Sequence, residues 1–152
     1  MFVIEPAPPG DAEVTEAIGH LLPLLSKSAA LPGSAEVDEI AASPATTLFV
    51  ARDGAGGPIV GTLTLALFRV PSGVRAWIED VIVSSDVRGR GCGEQLTRAA
   101  MDAARAAGAR TVDLTSRPAR EAANRLYQRM GFQIRDTNVY RFELRSDDDA
   151  DG

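Results

Sequence analysis

Val14, Ile18, Leu21, Leu22 and Leu25 recur at spacings of three and four, the mark of a helix with one apolar face. Asp11 stands where a side-chain oxygen caps such a helix, so the pattern predicts a helix from there to about Ser26. Pro23 should kink or shorten its end. Ahead of it, FVIEPA reads as a short strand that stops at Pro6, followed by a turn at Pro8, Pro9 and Gly10. A second short helix should follow Ser34, with Val37 and Ile40 facing inward. The pattern then changes to the strand type. TTLFVARD, IVGTLTLALFRV and VRAWIEDVIV form a three-stranded meander, joined by the turns DGAGGP and PSG.

After the meander comes a polar, glycine-rich loop, SSDVRGRGCG. EQLTRAAMDAARAAG follows as a helix with Leu96, Ala99, Ala100, Ala103 and Ala107 inward and Gly108 at its end. ARTVDLTS reads as a strand, and PAREAANRLYQRMG as a helix with Pro118 near its start and Gly131 just past its end. FQIRDTNVYRFEL supplies one or two final strands. The order is β-α-α-β-β-β-α-β-α-β, an α/β (α+β) fold with a mixed sheet of six or seven strands and helices on both faces. The helix around 93–107 is a crossover, so the strands at 78–83 and 111–115 should run parallel.

At 152 residues and 16.1 kDa, the chain has room for one domain, expected over 1–145, with an acidic disordered tail at 146–152. There is no run of about 18 apolar residues to cross a membrane. MFVIEPAPPGD lacks the features of a signal peptide, so a cytoplasmic protein without membrane partners is expected. One cysteine, Cys92, excludes an internal disulfide and argues against a cysteine-built metal site, so no metal is expected. His20, the only histidine, reads as a half-buried structural residue.

The net charge of −5 is unevenly spread. Residues 1–87 hold four basic and eleven acidic side chains, whereas 88–129 hold nine arginines against four acids. The acidic total argues against a nucleic-acid partner, while the basic middle suits a small anion.

That anion has an evident seat. Arg88, Gly89, Arg90, Gly91, Cys92 and Gly93 lie between a strand and a helix. Glycines at alternate positions let backbone approach a ligand, and the unpaired N–H groups at a helix start attract phosphate. The arginines add charge in reach of the same group. The loop lacks the Lys-Ser/Thr ending of a P-loop, and Glu94 stands where a dinucleotide fingerprint wants its third glycine.

Arg88-Gly89-Arg90-Gly91-Cys92-Gly93 resembles the Gln/Arg-x-x-Gly-x-Gly/Ala signature of the GCN5-related N-acetyltransferases. WIEDVIV looks like that family's fourth strand, and REAANRLYQRMGF is similar to its second signature. The resemblance spans about residues 2–145 and implies an acetyl-CoA-dependent N-acetyltransferase that passes an acetyl group directly to a primary amine.

By resemblance, the backbone of Val81, Ile82 and Val83 should hold the pantetheine arm in a splay between the fourth and fifth strands. Gly89 to Gly93, with Arg88 and Arg90, should hold the pyrophosphate, and Asn124 should contact the cofactor arm. Tyr127 is implied as the general acid toward the departing thiolate. Glu79 is the expected base, with Asp80 in reserve; as strand neighbours they should face opposite ways, Glu79 sharing a side with Trp77, Val81 and Val83. Cys92 is read as a small filler. Trp77 and Phe68 are weighed as lining for the acceptor cleft, against ordinary core roles. Arg117 and Arg120 are weighed against a CoA phosphate, solvated faces being the simpler reading.

The acceptor is a small-molecule or protein amine; sugar phosphates and cationic amines such as polyamines or aminoglycosides are among the options. A homodimer through VYRFEL is implied by the family's habit of pairing last strands. The competing classes are a catalytically silent acyl-CoA-binding module and a structural oligomerisation domain.

Overall fold

The computed structural model describes residues 1–144; the expected acidic tail, 146–152, lies outside them. Residues 1–119 and 120 onward form two compact units, each described by itself.

The first unit is built on an antiparallel ribbon. β1 (Phe2–Pro6), β2 (Thr46–Asp53), β3 (Ile59–Val70) and β4 (Gly73–Val83) pair in chain order, and β5 (Val112–Asp113) pairs parallel to β4 at the opposite edge. Among the described residues the sheet therefore has five strands. α1 (Ala12–Leu25) starts at Asp11, whose carboxylate accepts from the Glu13 N–H at 2.9 Å, and it ends two residues after Pro23. α2 (Ser34–Ala42) follows Gly33, whose N–H donates to the Glu36 carboxylate at 3.0 Å. α3 (Cys92–Ala106) carries the chain from β4 to β5.

Two alternating faces of the sheet are covered by different helices. Leu48 and Val50 of β2 pack with Ala7, Val14, Ile18 and Val37, the apolar faces of α1 and α2. The intervening residues Phe49 and Ala51 pair with Leu63 and Gly61, and Gly61 lies against Cys92 and Leu96 of α3. The buried side of α3 is Cys92, Leu96, Thr97, Ala100 and Ala104. That stripe is rotated from the expected one: Ala107 is exposed and Ala104 is buried. A small-residue stripe lets the helix lie close to the sheet, and that closeness bears on the site below.

The second unit holds α4 (Glu121–Arg129), which ends before Gly131 in a left-handed conformation, φ 101°. The expected final strands are not formed. Residues 133–144 carry no strand, and Ile134, Val139, Tyr140, Phe142 and Leu144 are exposed. Alternation of apolar and polar residues predicts which face a strand would show, but a strand exists only where a neighbour supplies a ladder of hydrogen bonds. No such ladder is present for these residues, so six or seven strands become five. No helix among the described residues is long and apolar enough to cross a membrane.

Candidate active site

Between two successive pairs, β4 carries one residue more than the facing stretch of β3. Thr62 pairs with Ile82 and Thr64 with Glu79, so Asp80 and Val81 together oppose Leu63. This is a β-bulge, and it places Asp80 at φ 49°, a left-handed conformation that aspartate tolerates better than most side chains. The bulge also resets the alternation. Trp77 and Glu79 share the side of Thr64, the α1 and α2 face, as expected. Val83, however, pairs with Gly61 beneath α3, so it does not share a face with Glu79. Strict alternation fails there because the extra residue shifts the register by one. Glu79 and Asp80 are both exposed.

The indole N–H of Trp77 donates to Oε1 of Glu79 at 2.7 Å. A rigid ring thus holds one carboxylate oxygen, leaving the other free to accept. Below this pair, Phe68, Val70, Ser72, Arg75, Trp77 and Asp113 line a pocket of about 390 Å³. Phe68 and Trp77, weighed between cleft lining and core, both line it; Ser72, Arg75 and Asp113 are additions that the sequence pattern did not single out.

β5 touches β4 only at Ala76 and Trp77. The parallel direction is as expected, but the pairing sits lower than 78–83. From Ile78 to Val83, β4 has no ladder partner on the β5 side among the described residues. On that side the backbone of Val81, Ile82 and Val83 is therefore without a strand partner among the described residues.

β4 leads on to the glycine loop. A short 3-10 turn, Ser85–Val87, precedes Arg88. Gly89 and Gly91 both have positive φ, 77° and 84°. Gly91 is the N-cap of α3 and provides no side-chain capping bond, unlike Asp11 on α1. The first N–H groups of α3, at Cys92, Gly93 and Glu94, are thus left to an external acceptor, with the positive end of the helix dipole behind them. Arg90 is committed elsewhere in this state. Its guanidinium holds both oxygens of Asp53 at 2.9 and 3.0 Å and lies 4.8 Å from the centre of the Phe2 ring. Asp53, the last residue of β2, is far away in sequence, and no local signal predicts this partnership.

Cys92 is 2% exposed, and burial pushes its thiol up to about 11. It packs against Gly61. A Cβ on Gly61 would stand 3.1 Å from Cys92 Sγ and from Leu96 Cδ1, and 3.2 Å from the Ile82 carbonyl oxygen. A glycine inside a strand pattern is the one sequence signal that flags such a close approach.

Asn124 and Tyr127 lie one turn apart on α4, in the second unit. The Asn124 amide donates to the Arg120 carbonyl at 2.9 Å. Tyr127 is half-buried, meets Phe132 edge-on at 5.7 Å, and its phenol is held above its ordinary value chiefly by burial. It is therefore a neutral hydrogen-bond donor at physiological pH.

The profile of the Acetyltransferase (GNAT) family matches residues 21–132, most of the chain and a span that crosses both units. The chain belongs to the GNAT acetyltransferase family. Solved structures agree on the fold. A transcriptional regulator from Bacillus halodurans C-125 shares 27% identity, with a TM-score of 0.77 over 95% of this chain and 100% of that one. A Trypanosoma brucei acetyltransferase shares 24%, with a TM-score of 0.74 over 95% and 100%. An aminoglycoside acetyltransferase from an uncultured soil metagenomic sample shares 19%, with a TM-score of 0.82 over 95% and 97%. No curated protein sequence matches the GNAT chain described here. Acetyl transfer is thus the general chemistry to be placed on these residues.

Proposed function

We propose that this GNAT protein is an N-acetyltransferase that uses acetyl-CoA and transfers the acetyl group directly to an amine. One observation supports it most. In a single unit, an unpaired stretch of β4 runs into a glycine loop and an uncapped helix start, with Arg88 and Arg90 beside it. A long ligand with a peptide-like arm and a phosphate end fits that sequence of surfaces: amide-bearing arm along Val81, Ile82 and Val83, phosphates at Gly89 to Gly93. Asn124 is assigned to the arm on the resemblance of its helix.

When bound, acetyl-CoA supplies a thioester whose carbonyl carbon forms a bond to the amine nitrogen as its bond to sulfur breaks. Glu79 takes the proton that the amine must lose, directly or through a water, and Trp77 keeps its carboxylate oriented. Asp80, in the bulge, is the neighbouring carboxylate that orients the ammonium form. Tyr127, neutral because burial raises its phenol, provides a proton to the departing sulfur. Direct transfer agrees with the inert state of Cys92, the only thiol in the chain.

The test is thermal unfolding with acetyl-CoA, ATP and NAD, followed by thiol release on an amine panel. Acetyl-CoA at about 100 times its dissociation constant should add roughly 2.7 kcal/mol, with no comparable shift from the others. Tyr127→Phe and Glu79→Gln should keep that shift while turnover falls by about 10²-fold or more. No shift with acetyl-CoA, or an equal one with ATP, overturns the reading. A shift with no turnover on any amine indicates a silent acyl-CoA-binding module instead.

A further inference from the structure

The pocket at the β3–β4 hairpin is polar in an ordered way. Along β4 the residues on its α1 and α2 face come in the order Arg75, Trp77, Glu79. Phe68 pairs with Arg75, and Asp113 of β5 pairs with Trp77. Pairs opposite each other in a sheet share a face, so the floor is an indole and a phenyl ring, with Phe68 48% exposed. A large aromatic side chain left half in water on a concave surface is the kind that ligands cover.

Charge is segregated across that floor. Asp113, which lines the pocket, pairs with Trp77; Glu79, just outside the lining, accepts from the Trp77 indole; and one guanidinium, Arg75, stands at the hairpin end. Arg75 makes a hydrogen bond to Ser72 Oγ at 3.3 Å and, among the described residues, no ion pair. Residues 75 and 79 are four positions apart on an extended strand, roughly 13 Å at the usual rise of about 3.3 Å. An ammonium is favoured at one end, an apolar body in the middle and an anion at the other end.

We infer that the amine acceptor is an elongated amphoteric molecule, with its amine at Glu79, a flat apolar body over Trp77 and Phe68, and a carboxylate or phosphate held by Arg75. The inference deepens the N-acetyltransferase reading and rests on it for the position of the amine. It departs from a polycationic acceptor, whose far end would meet a guanidinium of like charge.

The experiment compares para-(aminoethyl)benzoate with phenethylamine, which differ by the one carboxylate. Binding is read from the fluorescence of Trp77, the only tryptophan in the chain, and turnover from thiol release with acetyl-CoA. The carboxylate probe should bind and turn over about tenfold better than the neutral amine. Arg75→Gln should bring that ratio to about one, and Arg75→Glu should reverse it in favour of para-(aminoethyl)benzylamine. Unfolding of each variant, followed by the same fluorescence, checks that the hairpin is intact. Equal responses to the two probes in the native protein, or no response to either, overturn the inference. If Glu79→Gln keeps full turnover while the Arg75-dependent binding ratio persists, the amine's seat at Glu79 is overturned with the base assignment, and the aromatic floor with its anion end at Arg75 stands.

Discussion

Cys92 shows how burial decides what a reactive side chain can do. Its thiol lies in the seam between α3 and β3, packed against Gly61, and burial raises its pKa to about 11. A thiolate is the reactive form, so at about pH 8 this thiol is almost wholly protonated and also shielded. The native protein should therefore react with an aromatic disulfide reagent only as fast as it opens, and rapidly once denatured. Fast stoichiometric labelling of the native state would show the thiol to be accessible and remove this support for direct transfer. The burial of Cys92 agrees with the small-filler reading of its place in the motif. The placing of Arg75, Asp113 and Asp53 was not legible, because each depends on a partner on another strand or across the hairpin, and periodicity carries no information about such pairings. Trp77 and Glu79 were placed together because they are two residues apart on one strand, and such same-face neighbours are what a strand pattern does contain.

At the scale of elements, the strands β2, β3 and β4 were read within a residue of their observed limits, since each combines alternation with strong turn residues. The bulge at Asp80 and Val81 was invisible, as nothing in WIEDVIV announces an extra residue; only the partner strand reveals it. Its consequence is chemical, because it brings Glu79 and Asp80 to the surface at the place where β5 has left β4. α3 depends on a different local demand. Its start presses on β3 at Gly61, where even a methyl group would meet a sulfur, a methyl carbon and a carbonyl oxygen within 3.2 Å. Leu96 can give way by rotation, but the Ile82 backbone is part of the sheet. Gly61→Ala should consequently destabilise the protein by about 1–3 kcal/mol, the usual range for overpacking. It should also weaken the effect of acetyl-CoA on melting, since α3 would shift relative to β4. Chemical denaturation read at Trp77 measures the first effect and the cofactor-dependent shift the second. An unchanged midpoint would mean that the helix is not seated as tightly as the distances indicate.

For the whole molecule, the element order and the motif-bearing loop were legible, while the closing strands were not realised, since their ladder must come from residues distant in sequence. The first unit is held at its outer edge by ionic ties of a kind the sequence also conceals. Arg52 of β2 bonds Glu5 of β1 at 2.9 Å, Glu13 of α1 at 2.9 and 3.0 Å, and the Gly57 carbonyl of the hairpin at 3.0 Å. One nearly buried guanidinium thus joins two strands, a helix and a turn. Arg90 joins the glycine loop to Asp53 in the same region. The Arg52 and Arg90 guanidinia hold the Glu13 and Asp53 carboxyls below their ordinary values of 4.5 and 3.8. A carboxyl with a lowered folded-state pKa stabilises the fold fully above its ordinary value, and that contribution drains away as pH falls through the lowered one. Melting of the first unit, read at Trp77, should therefore be insensitive to these two groups from about pH 7 to 5 and decline once pH falls below about 4. Both carboxyls are exposed enough for salt to screen them, so the decline should be shallower at about 1 M salt. Glu13→Gln should lower melting near neutral pH and flatten the acid decline, whereas Glu16→Gln, on an exposed turn of the same helix with only a 3.9 Å contact to His20, should do neither. An acid decline of the same depth in Glu13→Gln as in the native chain would show that the tie from α1 to Arg52 contributes nothing to the fold, and would shift the account of acid sensitivity to Asp53 and the glycine loop.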